Sequence, residues 1–101
     1  MEWYNYVAAF FSGAFLANFV PHFVAGIQGN TFPSPFSKPR GIGPSSPTVN
    51  VIWGIVNLAA GCLLFKSGHV GGGDWCAVIA FFAGLALLSV MMSRHFQKKQ
   101  L

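Results

Sequence analysis

Four polar side chains in apolar surroundings, Asn18, His22, Asn50 and Asn57, are the ones whose types and spacing can do chemistry. His22 is the side chain inside a long apolar run that titrates near neutrality, which makes it a candidate proton carrier or ligand contact. The structural alternative is a neutral imidazole bonded to a backbone carbonyl or to an Asn of another helix. No second His, Cys or carboxylate stands at ligand spacing from it, so no metal site is expected. Asn18 lies four residues before His22 and points the same way on a helix. Asn50 and Asn57 either line a polar pathway with these two or form hydrogen bonds between helices, worth roughly 0.6 kcal/mol on average and up to about 1.7.

The remaining reactive groups offer less. Lys38 and Arg40 precede Gly41-Ile42-Gly43 and a capped helix start, and would meet an anion or ordinary lipid headgroups. Cys62 and Cys76 form no CxxC or Cys/His pattern and read as two small apolar thiols rather than a bridge. The side-chain carboxylates, Glu2 and Asp74, both lie outside the apolar runs. With no nucleophile, base and orienting group in one place, neither catalysis nor a cofactor is expected.

Three apolar segments must position these residues, giving an all-α integral membrane protein with spans at about 3–28, 48–65 and 75–93. The first carries no charge. At about 1.5 Å per residue it reaches roughly 39 Å, enough for a hydrocarbon core of about 30 Å. Its small residues Ala9, Gly13 and Ala17 form a row that admits another helix closely, and Pro21 is expected to kink it near Ala17. In the second span Asn50, Gly54, Asn57 and Gly61 fall within an arc of roughly 60°. Trp53 flanks that arc, while Ile52, Ile55, Ala59 and Leu63 suit lipid on the opposite side. In the third span Cys76, Ala80, Ala83, Gly84 and Leu87 are expected to form a packing seam. The second and third spans, joined by a short Gly-rich turn, are expected to pack together and leave one face of the first, or the Pro-rich loop beside it, for a second chain.

Between the first two spans, residues 29–47 hold five of the six prolines and exclude regular structure over most of their length. Phe32 and Phe36 are expected to dip into the membrane interface there. Ser46 and Pro47 read as the N-cap and first residue of the next helix, and Asp74 starts the third.

Composition agrees with lipid as the solvent. Hydrophobic residues make up 53% of the 101 residues and charged ones 8%, where a soluble domain carries about 25% charged residues. The net charge of +4 lies outside the spans, with no basic face suited to nucleic acid, and nucleic-acid binding is not expected. Lys38, Arg40, Arg94, Lys98 and Lys99 fall on one side, the last three in a basic tail over 94–101, against Lys66 on the other. The positive-inside rule then places the N-terminus outside and the C-terminus and Pro-rich loop in the cytoplasm, in a bacterial-type plasma membrane. The expected role is non-catalytic helix packing, as a homo-oligomer or a small accessory subunit of a larger membrane complex. The alternative is a small oligomeric transporter or channel using the His/Asn set.

Overall fold

The computed structural model describes residues 1–97, so Lys98 and Lys99 of the basic tail lie outside the described residues. Three helices, α1 (Trp3–Ile27), α2 (Pro47–Ser67) and α3 (Trp75–Phe96), are each long and apolar enough to cross a membrane. The fold is all-α, and the chain is a multi-pass membrane protein. Its one extended pairing among the described residues is an isolated antiparallel bridge between Phe32 and Ser45.

The helix starts follow from local chemistry. Ser46 caps α2 by accepting from Val49 N–H at 3.2 Å, with Pro47 at the first position, where its missing donor does no harm. Asp74 caps α3, accepting from Cys76 N–H at 2.8 Å. Helix α1 runs unbroken through Pro21. Helix α3 extends past Ser93 to Phe96, because its last turn is held by the loop: Phe96 packs on Phe32, with ring centroids 4.7 Å apart.

Helix α1 is the centre of the molecule. It packs against α2 on one side and α3 on another, while the backbones of α2 and α3 do not pack together. They touch through the Phe65 and Phe81 rings, 5.5 Å apart. This corrects the expected pairing of the second and third spans. The turn between them passes over the start of α1 rather than folding α3 onto α2. Val70 in that turn joins Ala9, Ala77 and Phe81 in the buried apolar cluster, and a Cβ on Gly68 would sit 2.7 Å from Ala9 N. Both small faces of α1 are therefore packed against helices of the same chain.

The α3 seam is also rotated from expectation. Ala77, Phe81 and Gly84 are its buried residues, Ala80 only flanks them, and Cys76, Ala83 and Leu87 face outward. Phe81 wins a buried place because its ring fills the space between α1 and Phe65.

Candidate functional site

The polar residues of the spans come together in a ladder between α1 and α2. Its rungs run in antiparallel order. Asn5 Nδ2 donates to the Ser67 carbonyl at 2.9 Å, and Ser12 Oγ donates to the Gly61 carbonyl at 2.7 Å. Asn18 Nδ2 donates to Asn57 Oδ1 at 3.0 Å, and His22 Nδ1 lies 2.8 Å from Asn50 Oδ1. The buried residues of α2 are Asn50, Gly54, Asn57 and Gly61. The glycines let α1 approach closely: a Cβ on Gly54 would lie 3.0 Å from Phe23 N, and one on Gly61 2.5 Å from a Leu16 methyl.

Asn50 is the hub of the loop-side end. Its Nδ2 lies 2.9 Å from the Phe32 carbonyl, 3.1 Å from that of Ser46 and 3.3 Å from that of Ser45. With the amide nitrogen committed to carbonyls, Oδ1 must face His22. This fixes the His22 tautomer: Nδ1 carries the proton and donates to Asn50, and Nε2 is left with a lone pair. The His22 ring is 2% exposed and sits edge-on to Phe32, Trp53 and Phe96.

The Pro-rich loop folds back over this end as an ordered cap. Ser34, Ser37 and Ser45 are buried in it, and Ser37 Oγ donates to the Ser34 carbonyl at 2.7 Å. Ser34 and Ser45 hydroxyls meet at 2.6 Å. The loop is tied to α3 by His95 Nε2, 2.6 Å from the Gly41 carbonyl. Phe32 therefore packs inside the protein rather than dipping into lipid, while Phe36 stays exposed and leans on Trp53 at 5.3 Å.

Under the cap lies a cavity of about 320 Å³, lined by Asn18, His22, Arg40, Trp53, His95 and Phe96 together with loop residues. It brings together two residues expected to share a site, Asn18 and His22, with Arg40. Asn50 and Asn57 stand behind it and orient them. Lys38 and Arg94 are exposed and do not line it. The indole Nε1 of Trp53 is buried without a hydrogen-bond partner among the described residues. Arg40 likewise has no ion pair or hydrogen bond there, and Glu2 and Asp74 lie at the opposite end of the helices.

Trp53 and His95 are the site residues that sequence reasoning passed over. Trp53 showed as the flank of the Asn/Gly arc. His95 gave no signal, since its place depends on how the loop folds.

At the other end, Tyr6 hydroxyl donates to Asp74 Oδ2 at 2.7 Å and joins the starts of α1 and α3. The phenol and the Cys76 N–H together hold the Asp74 carboxyl below its ordinary range.

Among the described residues no group of three or more His, Cys, Asp or Glu side chains could hold a metal ion. Set against models of known protein families, curated proteins and solved structures, the chain matches none of them.

Proposed function

We propose that this is a non-catalytic polytopic membrane protein that acts by helix packing, as a homo-oligomer or a small accessory subunit of a larger membrane complex. The observation that supports this reading is the closure of the polar seam. Ser12, Asn18, His22, Asn50 and Asn57 are bonded to one another or to backbone between α1 and α2. A water-filled path would need these groups freed from one another. Asn18, His22 and Asn57 border cavities beside the seam but keep their hydrogen bonds across it, so the transporter or channel is the weaker reading. Helices α2 and α3 each pack on α1 and touch one another through the Phe65 and Phe81 rings. Ile52, Ile55 and Leu63 of one, with Ile79, Phe82 and Leu87 of the other, remain exposed. These apolar faces are open to lipid or to another membrane chain. In this reading the basic loop faces the cytoplasm of a bacterial-type plasma membrane, with the N-terminus outside.

Native mass spectrometry of nanodiscs cut directly from membranes tests the packing role. The expected species is a multiple of the 10.9 kDa chain or a complex with a different chain. A lone 10.9 kDa chain at native expression overturns it. Thiol labelling separates packing from a pathway. Asn57→Cys, in a background with Cys62 and Cys76 changed to Ser, should resist a membrane-impermeant reagent, whereas rapid labelling would favour the pathway.

A further inference from the structure

Because α2 and α3 leave α1 on different sides, α1 forms the floor of an open trough between them. Two cavities in this trough share the walls Asn18 and Trp53. The inner one, about 310 Å³, is apolar: Phe11, Ala14 and Phe15 of α1 lie across from Leu88 of α3. The outer one is the cavity under the Pro-rich loop.

Unmet hydrogen-bonding groups gather at the shared wall, on Trp53 and Asn18, and next to it in the outer cavity, on His22. Among the described residues Trp53 Nε1–H is buried and unpartnered. Asn18 uses Nδ2 on Asn57 and keeps Oδ1. His22 uses Nδ1 on Asn50 and keeps Nε2. Hydrocarbon cannot satisfy any of them, and leaving such groups unpaired in a bilayer is costly. Charge points the same way: Arg40 lines the outer cavity, and among the described residues no acidic side chain pairs with it. An occupant must bring an anion to the loop end, hydrogen-bonding groups to the shared wall and an apolar chain to the inner cavity.

We infer that the trough holds one anionic glycerophospholipid. Its phosphate meets Arg40, whose planar fork suits phosphate oxygens. An ester carbonyl accepts from Trp53 Nε1–H, and an acyl chain runs between Phe11 and Leu88. A glycerol hydroxyl of the headgroup can donate to His22 Nε2 or Asn18 Oδ1. A fourth transmembrane helix would fill the apolar part but would bring no anion to Arg40. The packing role proposed above does not depend on this lipid, and an empty trough leaves that role untouched.

The test is lipid retention. The full chain is reconstituted in phosphatidylcholine nanodiscs with a minor share of phosphatidylglycerol and released intact into a native mass spectrometer. One phosphatidylglycerol should stay bound in preference to phosphatidylcholine. Arg40→Ala should lower its retention about tenfold and Trp53→Phe about fivefold, the loss of a charge-assisted and a neutral hydrogen bond. Ala14→Leu, which narrows the inner cavity without touching a polar atom, should lower it too. Arg40 is exposed on the loop, so its variant remains informative if Trp53→Phe fails to fold. Glycerol 3-phosphate should not displace the lipid; displacement would mean a soluble phosphate ester is the ligand and would overturn the assignment. Equal retention of the two lipids overturns it, as does undiminished retention by Arg40→Ala or a second protein chain in the trough with no lipid bound.

Discussion

The two seams of α1 are built by different physics. Toward α2 the helix makes directional contacts, four side-chain hydrogen bonds in sequence order along the seam. Toward α3 the contact is backbone on backbone. A Cβ on Gly84 would run into the Phe10 carbonyl, its carbonyl carbon 2.8 Å away, and one on Gly13 would meet Leu85 N at 2.8 Å. Within the described residues the one side-chain hydrogen bond from α1 toward α3 is Tyr6 to Asp74, at the very end. In lipid, apolar burial does not distinguish a neighbouring helix from a lipid tail, so association needs either close packing or polar pairing. This chain packs closely through glycines on both sides of α1 and adds polar pairing along the span only toward α2. Hydrogen bonds fix register; glycine contact fixes distance.

The contrast predicts a graded set of outcomes, read by unfolding in mixed micelles. Gly84→Leu should be the worst, about 3 kcal/mol or more, because the facing atoms are backbone and cannot move aside. Asn50→Leu comes next, at about 2 kcal/mol, since it strands the buried His22 Nδ1 and removes the side-chain donor to three carbonyls that keep only their backbone N–H partners. If Asn50→Leu proved worse than Gly84→Leu, polar pairing rather than contact would be the stronger seam. Asn57→Leu removes one interhelical bond and should cost roughly 1 kcal/mol. Ile55→Leu, on the exposed face of α2, should change almost nothing.

A further small effect concerns pH. The folded state holds the Asp74 carboxyl below its ordinary range, so its bonds stabilise the fold above about pH 4 and are lost as pH falls through the lowered folded value. The melting temperature should drop slightly in that acid window, and less so in Tyr6→Phe. An unchanged acid slope in that variant would mean the Tyr6 bond adds nothing.

How much of this could be read beforehand depended on contrast between residue types. The arc Asn50, Gly54, Asn57 and Gly61 stands out at helical period against Ile and Leu, and those four are the residues α2 buries. In α3, apolar residues lie on every side, and lipid accepts the same types that a helix interface does. The seam was therefore legible at Gly84 and missed at Ala77 and Phe81. Ser12 and Asn5 were missed because a single hydroxyl or a terminal amide gives no periodic signal. The wrong pairing of α2 with α3 came from taking a short connection to mean adjacency. The turn holds Gly71, Gly72 and Gly73 and has room to carry the chain across the top of α1. For the candidate site, Asn18, His22 and Arg40 were legible as types, but the cavity that joins them exists only once the loop has folded back.

The ladder has a consequence for the order of synthesis. Its residues lie between Asn5 and Ser67, entirely within α1, the loop and α2. A nascent chain that has reached Ser67 already contains both partners of each of these hydrogen bonds. At that moment no residue of α3 has been translated. The first two helices can therefore leave the translocation channel as a hairpin with these hydrogen bonds already made, and α3 joins afterward on a surface that asks only for closeness.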